Sequence, residues 1–327
     1  MFRTLFFVSM MSFGLVAQES DPVVLLFAGD IILSDYVAAF VGENTGYVFD
    51  RWKPGSEADV FMVNLEHPIT TATQKVEKKY NFKMSPAYGV ILKDAGVTLV
   101  TSANNHIFDY GYEGIDDTMH YLDSLGIPFV GIGKNLAEAR KPVILERKGK
   151  ILGFLGYFGG GGEFAAGKNA PGYAPRITRY VVEDVERLRS QVDLVVVNFH
   201  WGTERASVPE DWQVRLARRT IDAGADVIIG HHPHVLQGVE RYKGKIIAYS
   251  LGNFVFGGNS LHTYDTAVLR VVVGRNGPSA QLLPVSVRRW QPVLAGEAVR
   301  ERVLEIVRER SLSFPDHLFS NGSRTNE

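Results

Sequence analysis

The chain has 327 residues, 45% of them hydrophobic and 22% charged, so it can bury the core of one large domain or of two smaller ones. Its 35 basic and 36 acidic residues give a formal net charge of −1, which provides no electrostatic footprint for nucleic acid but leaves room for a local polyanion-binding patch. The chain has no cysteine, which excludes disulfides, thiolate ligands and a cysteine nucleophile.

The N-terminus has the layout of a secretory signal peptide. Arg3 precedes an apolar stretch from Leu5 to Ala17, and polar residues begin at Gln18. The stretch is short and is interrupted by serine and glycine, which disfavours a membrane span. We therefore expect residues 1–20 to be a signal peptide, the protein to be exported, and no transmembrane segment to remain after cleavage. An uncleaved anchor or a frayed apolar N-terminus is the alternative.

Five apolar, strand-like runs follow along the chain, and each ends in polar residues. The runs cover residues 23–28, 60–63, 98–100, 194–199 and 225–229. The polar segments after them are Gly29-Asp30, Asn64-Leu65-Glu66-His67, Asn104 to Gly111, His200-Trp201-Gly202 and Gly230 to His234. Because ligands of open α/β sheets bind outside the carboxyl ends of the strands, we expect these segments to converge on one pocket.

Helical patterns alternate with the strand-like runs, at residues 87–95, 114–125, 181–190 and 211–223. This alternation predicts an α/β sandwich. Further along, three β-like runs at 245–249, 267–273 and 280–285 predict an antiparallel closing sheet. We expect one domain over residues 21–310, ending in an exposed amphipathic helix at 297–310, and a disordered tail over residues 311–327.

The polar segments together carry the ligand types of a metal centre. Three imidazoles, those of His231, His232 and His234, lie within four residues, a density typical of sites for divalent transition metals. A single Asp, Glu or Asn after a strand is more often a helix cap or a turn residue. The whole ordered set favours the metal site, because unrelated caps would not reproduce an inventory of imidazole, amide and carboxylate.

The ordered motifs resemble those of the CapA/PgsA family, whose members are linked to synthesis of poly-γ-glutamate capsules. The resemblance rests on Gly29-Asp30, Asn64-Leu65-Glu66, Ala103 to His106 with Asp109 and Gly111, His200-Trp201-Gly202 with Glu204, His232-Pro233-His234, and Tyr249 to Phe254. It implies a calcineurin-like metallophosphoesterase sandwich of the α/β class, with two central mixed β-sheets flanked by helices in an α/β/β/α order.

The resemblance also implies a site for two divalent metal ions, Mn, Fe or Zn. In the pattern of calcineurin-like phosphoesterases, Asp30 and His234 would bind the first metal and Glu66 would bridge the two. Asn105, His200 and His232 would bind the second metal. The chain departs from that pattern in two places. It has Asp30-Ile31-Ile32 where the phosphoesterases carry Asp-x-His, and Glu66 where they carry Asp, so the first site is expected to be weakened.

His106 and Asp109 are the candidate catalytic residues. His106 follows Asn105 directly, so its side chain points away from the ligand direction and can approach a substrate as a general acid. Asp109 lies one helical turn further on and can orient the imidazole. The string from Asn105 to Gly111 is similar to the segment that carries this dyad in nucleotidase-like phosphoesterases.

The sequence favours a metal-dependent hydrolase that uses metal-bound hydroxide, with either a small phosphoester or a γ-glutamyl compound as substrate. The rival interpretation is a non-catalytic, metal-containing accessory protein that binds an acidic polymer or the capsule synthesis proteins. The His106/Asp109 dyad favours the enzyme, whereas the missing Asp-x-His ligand favours the accessory protein. Fold similarity does not decide between them.

The signal-peptide hypothesis predicts the N-terminus of the mature protein. Residues 1 to about 17 should be absent from the exported chain, because a cleavable signal ends after a small residue such as Ala17. Mass spectrometry of the N-terminal peptide checks this, and an intact Met1 on the exported protein would contradict it.

Overall fold

The computed structural model describes residues 21–159, 162–274 and 277–320. The predicted signal peptide, residues 1–20, lies outside these ranges. Within them, no helix combines the length and the apolar character that a membrane crossing requires.

Two mixed sheets form the centre of the fold. The strands are β1 (Val23–Ile32), β2 (Val60–Leu65), β3 (Leu99–Thr101), β4 (Phe129–Val130), β5 (Ile132–Gly133), β6 (Val143–Arg147), β7 (Lys150–Phe158), β8 (Gly172–Tyr173), β9 (Leu194–His200), β10 (Val227–His231), β11 (Val239–Tyr242), β12 (Lys245–Ala248), β13 (Asn253–Phe256), β14 (Thr263–Gly274), β15 (Gly277–Arg288) and β16 (Gln291–Leu294). The first sheet has the order β16-β15-β14-β1-β2-β3-β4, with β13 also paired to β1, and the second has the order β11-β12-β10-β9-β7-β6. Strands β5 and β8 pair separately.

Helices pack against both sheets. They are α1 (Tyr36–Val41), α2 (Val90–Asp94), α3 (Gly111–Leu125), α4 (Leu136–Ala139), α5 (Thr178–Arg189), α6 (Asp211–Asp222) and α7 (Glu297–Ser311), with 3₁₀ turns at Thr45–Phe49, Pro54–Glu57 and Pro86–Gly89. A glutamate caps α6, since the Glu210 side chain and Gln213 form a reciprocal capping box.

The hydrophobic core lies in three layers. Phe27, Met62 and Leu99 of the first sheet pack against Phe154 and Val196 of the second. One further cluster joins the first sheet to α2, and another joins the second sheet to α5 and α6. The central strands are buried on both faces, which explains their continuous apolar runs in the sequence. The predicted arrangement of two central mixed sheets flanked by helices is confirmed.

Two details of the predicted C-terminal region are wrong. The runs of β14 and β15 form antiparallel partners beside β1, but β12 belongs to the other sheet and runs parallel to β10. The predicted tail is ordered up to Ser320, because Phe314 and Leu318 are buried and the Leu318 N–H donates to the Val239 carbonyl. Residues 321–327 lie outside the described ranges.

Glycines allow the chain to cross between the sheets at the carboxyl ends of β1 and β10. A Cβ on Gly29 would lie 1.8 Å from the carbonyl oxygen of Gly252, and a Cβ on Gly230 would lie 1.9 Å from that of Tyr249. The segment from Tyr249 to Asn253 therefore passes directly over both strand ends. Gly252 itself has φ 64°, a left-handed conformation that glycine adopts at little cost.

This close approach predicts the effect of a single methyl group. Gly230→Ala should lower the free energy of unfolding by at least about 2 kcal/mol, because the clash is with backbone that has no rotamer to change. Urea denaturation measures the change. Gly46→Ala is the matched control, since its Cβ would meet only the Asn44 side chain, at 3.9 Å. Equal unfolding midpoints for the two variants would contradict the prediction.

Candidate metal centre

The first sheet supplies a row of polar side chains at one edge. Asp30, at the end of the buried strand β1, lies in register between Asn64 of β2 and Asn253 of β13. The Asn64 Nδ2 donates to Asp30 Oδ1 at 2.8 Å and lies 3.4 Å from Glu66 Oε2. Parallel pairing thus brings together residues that are far apart in the sequence.

The second sheet supplies the histidines. His200 ends β9 and His231 ends β10, and the two are paired in register. After β10 the chain turns sharply, and both His232 (φ 97°) and His234 (φ 58°) adopt left-handed backbone conformations. Such conformations cost non-glycine residues about 1–3 kcal/mol and concentrate at functional sites. The turn directs the imidazoles of His232 and His234 toward the carboxylates of the first sheet.

The two rows meet around Glu66. Its Oε1 lies 3.6 Å from His200 Nε2 and 3.7 Å from His234 Nε2. His234 Nδ1 lies 3.1 Å from Asp30 Oδ2, and His200 Nε2 lies 2.7 Å from Asn105 Oδ1. The structure therefore brings together all six predicted ligands, which are Asp30, Glu66, Asn105, His200, His232 and His234.

The two buried carboxylates differ in their pKa values. Burial, together with the negative charge of Asp30, raises the pKa of Glu66 well above its usual range. Burial acts in the same direction on Asp30, but the contacts with His231 and His234 outweigh it and hold the pKa of that carboxyl well below its usual range. The surroundings of Glu66 thus favour its ionised form less than those of Asp30 do.

The histidines of the site also differ in their pKa values. Burial lowers the pKa of His232 to about 4, and burial with the nearby His232 lowers the pKa of His200 well below its usual range. For His234, burial is outweighed by Glu66 and Asp30, which raise the pKa to about 9. Neutral imidazoles are metal ligands, so His200 and His232 already have the required protonation state, and His234 must release a proton.

Several buried polar atoms in this pocket have no hydrogen-bond partner among the described residues. They are Glu66 Oε1, His231 Nδ1 and His232 Nδ1. His231 Nδ1 does lie 3.3 Å from Asp30 Oδ1, but without the angle of a hydrogen bond. Unpaired buried groups cost about 1–3 kcal/mol each. Their convergence from opposite sides fits a cation bound between them.

Two groupings of side chains meet the spacing that one cation requires. One is Glu66 with His232 and His234, and the other is Asp30 with Glu66 and His200. Glu66 belongs to both groupings, and its predicted role as the bridging ligand stays a prediction. The pairing of histidines differs from the predicted division, so the assignment of each ligand to a first or second metal stays a prediction.

The predicted dyad lies beside these ligands. His106 Nδ1 is 2.8 Å from Asp109 Oδ2, which leaves Nε2 for a substrate. Burial lowers the pKa of His106, and Asp109 opposes this shift. The Asp109 carboxylate also accepts the Phe82 N–H at 2.6 Å, and the Phe82 ring lies 4.6 Å from the His106 ring. Asp109 is therefore fixed from several sides and can orient the imidazole.

Lys78 is a site residue that the sequence analysis missed. Its Nζ forms an ion pair with Asp109 Oδ1 and donates to the Asn105 carbonyl at 2.7 Å. It lies in the segment between β2 and α2, which has no regular structure around this residue and whose polar composition is typical of a surface loop. Tertiary contacts bring this segment over the dyad, since the Val76 N–H donates to the Asp109 carbonyl and the Phe82 N–H donates to the Asp109 carboxylate.

Two asparagines were also missed as site residues. Asn253 Oδ1 lies 2.9 Å from His234 Nδ1, and Asn64 contacts both carboxylates. The sequence signals that could have identified them are the position of Asn253 directly after Gly252 and the position of Asn64 two residues before Glu66. His67, by contrast, is structural, since its Nε2 accepts the Leu33 N–H at 3.0 Å and burial lowers its pKa to about 4.

The fold is of the calcineurin-like metallophosphoesterase type, which confirms the predicted fold class. A hypothetical protein from Thermus thermophilus has a similar fold, with a TM-score of 0.51 at 17% identity over 81% of this chain and 99% of that one.

Residues 24–258 match the family described as bacterial capsule synthesis protein PGA_cap, and the chain belongs to that family. It is 35% identical to the PGA biosynthesis protein CapA of Bacillus subtilis (strain 168), over 85% of this chain and 75% of that protein. It is 33% identical to the capsule biosynthesis protein CapA of Bacillus anthracis, over 84% and 70% of the two chains. The predicted family resemblance is thus confirmed.

The geometry predicts which substitutions remove metal. His232→Ala and Asn105→Ala should each lose most of the divalent metal bound by the purified protein, because each deletes a predicted ligand. Elemental analysis after dialysis measures the metal content per chain. His120→Ala, which changes an exposed histidine of α3, is the matched control and should retain the metal of the wild type.

Metal binding should also release a proton from His234. Since that side chain holds its proton up to about pH 9 in the metal-free protein, affinity for the metal should fall as the pH is lowered below that value.

Full metal content in both His232→Ala and Asn105→Ala would refute the assignment of the metal site.

Proposed function

We propose that this protein is an exported, metal-dependent hydrolase that acts in the synthesis or processing of a poly-γ-glutamate capsule. The observation that carries the proposal is the complete His106/Asp109 pair beside the buried cluster of carboxylates and imidazoles. A purely structural metal site needs no oriented imidazole with a free Nε2 next to it.

The donor set of the pocket fits two divalent transition metals. Carboxylate, amide and imidazole are ligands that Mn, Fe and Zn accept, and no thiolate is present in the sequence. Positive charge beside Glu66 would favour its ionised form, since its pKa is raised and its Oε1 has no hydrogen-bond partner among the described residues. When bound, such ions supply positive charge to the reacting group and lower the pKa of a coordinated water.

The remaining groups of the site position the reactants. Asn64 holds Asp30 and Glu66 in a fixed relative orientation through one amide. Asn104 holds Asn64, donating to its Oδ1 at 3.1 Å, and accepts the His106 N–H at 3.1 Å. This chain of buried side-chain amides links the ligands to the dyad and holds His106 in a fixed position relative to them.

His106 acts as the general acid in this proposal. Asp109 fixes the Nδ1 proton and favours the imidazolium, while burial disfavours it. A bound anionic substrate adds negative charge near Nε2 and favours protonation of the ring. His106 then transfers its Nε2 proton to the leaving group, and Asp109 keeps the ring oriented throughout.

The family and the named relatives support the choice of a capsule-related substrate. The relatives from Bacillus are described as PGA and capsule biosynthesis proteins. A γ-glutamyl amide or ester follows from that description, and a small phosphoester is the alternative substrate that the fold class favours. Export follows from the signal-like N-terminus, since a capsule polymer lies outside the cell.

A second candidate is a non-catalytic accessory protein that uses the metals to bind an acidic polymer or the capsule synthesis proteins. The observation that favours it is Ile32, which stands where phosphoesterases carry a ligand histidine. Its side chain is fully buried and packs with Phe82 and Phe256, so it contributes no donor to the first metal. Relatives from Mycobacterium tuberculosis are described as probable polyglutamine synthesis accessory proteins.

The proposal predicts the behaviour of the dyad variants. His106→Asn should keep the metals and reduce turnover by about a hundredfold or more, because a general acid contributes rate and not metal affinity. The loss should be largest on substrates with poor leaving groups and smallest on activated aryl esters. Asp109→Asn should give a smaller loss of the same kind. Initial rates on phosphoester, γ-glutamyl amide and γ-glutamyl ester panels measure these effects.

Two outcomes would decide against this mechanism. Loss of metal from His106→Asn would make His106 a ligand. Absence of hydrolysis by the fully metallated wild type on all three panels would favour the accessory protein. His120→Ala controls for nonspecific effects of deleting a histidine, and should keep wild-type turnover.

A further inference from the structure

Arg176 lies on the same edge of the second sheet as the histidine ligands. The antiparallel pairing of β6 with β7 ends at Phe154, and beyond it Pro175 takes the neighbouring position, forming a bridge with Phe158. Phe158 is in turn paired with His200. Pro175 is therefore two strand spacings, roughly 10 Å, from His200. Arg176 follows directly, and its N–H donates to the Phe158 carbonyl at 3.0 Å.

The guanidinium of Arg176 stacks on an aromatic ring. Its central carbon lies 4.2 Å from the centroid of the Trp212 ring, in the first turn of α6. Trp212 packs edge-on against Trp201, the residue that follows His200, with centroids 6.2 Å apart. The arginine is thus held in place by residues that are continuous with the metal centre.

The charge of Arg176 has no counter-ion among the described residues. None of the ion pairs between an arginine and a carboxylate in the described ranges includes Arg176. The Arg176 Nε is buried and has no hydrogen-bond partner among the described residues. Burial alone lowers the pKa of this group to about 10, with no acidic side chain to oppose it. A half-buried cation of this kind is costly, and an anion that pairs with it recovers the cost.

The contact with Trp212 leaves the N–H donors of the guanidinium for an anion, because an aromatic ring offers no oxygen acceptor. The fork of a guanidinium matches the two oxygens of a carboxylate or phosphate. Arg179, three residues later, also lies over an aromatic ring, that of Tyr180, but it is exposed and already forms an ion pair with Glu183 at 3.7 Å.

We propose that Arg176, held against Trp212, is an anion-binding subsite that takes a carboxylate or phosphate oxyanion at the rim of the metal centre. The inference rests on the proposed function only in placing that oxyanion on the substrate. A γ-glutamyl chain carries an α-carboxylate on every residue. One chain can therefore place a carboxylate on Arg176 while a neighbouring linkage lies at the metal centre.

The test is a binding measurement on the full chain after removal of metal with a chelator. Glutarate, γ-glutamyl-γ-glutamate and inorganic phosphate are titrated separately while tryptophan emission is recorded. The wild type should bind at least one probe with a change in emission that disappears in Trp212→Phe. Arg176→Gln should weaken that binding by about ten- to a hundredfold, the range for losing charge-assisted hydrogen bonds. Arg176→Lys should be intermediate, because it keeps the charge without the planar fork.

The controls keep the outcomes separate. Arg179→Gln should bind as the wild type does, and circular dichroism checks that each variant is folded. Should Arg176→Gln unfold, the folded Arg176→Lys decides, and wild-type affinity in that variant overturns the proposal.

Binding of γ-glutamyl-γ-glutamate and glutarate identifies a carboxylate subsite, and binding of phosphate alone identifies a phosphate subsite. Failure of the wild type to bind any probe, or equal binding by Arg176→Gln, overturns the proposal. The measurement needs no turnover, so a negative result for hydrolysis leaves it unaffected.

Discussion

The buried pair of carboxylates, Asp30 and Glu66, is the constraint on which the rest of the site depends. Both are fully buried, and each disfavours ionisation of the other in a medium of low polarity. Contacts with His231 and His234 offset the negative charge of Asp30. The Oε1 atom of Glu66 has no hydrogen-bond partner among the described residues. Buried charges are stable only when they are paired or bind metal. The strained turn at His232 and His234 is consistent with a site that gains its full stability on binding cations.

The backbone makes this concentration of charge possible. Close approaches at Gly29 and Gly230 let the segment after β12 cross from one sheet to the other directly above the strand ends. That crossing places Asn253 beside Asp30 and closes the pocket on the side of the first sheet. The site is therefore built largely at strand ends and crossing points of the central layers, where side chains are positioned more precisely than on long surface loops.

The positive charges around the site bear on the choice between enzyme and accessory protein. Lys78 is committed to Asp109 and the Asn105 carbonyl, so it supports the dyad and not a polymer. Arg176 has no such internal partner among the described residues. A protein that only gripped an acidic chain would need many free cations and no oriented imidazole. The fixed His106/Asp109 dyad is the feature of the site that supports the enzyme proposed above.

The sequence predicted eight of the strands and six candidate ligand positions, because buried parallel strands are read as apolar runs whose carboxyl ends carry the polar residues. It did not predict the central strand β7. It did not determine which sheet receives β12, how far the C-terminus packs, or that Lys78, Asn253 and Arg176 lie near the site. Those facts depend on pairing between segments far apart in the chain, such as Pro175 with Phe158 and Val76 with Asp109. Contacts of this kind cannot be predicted from local composition, because they depend on how distant segments pack in the folded chain.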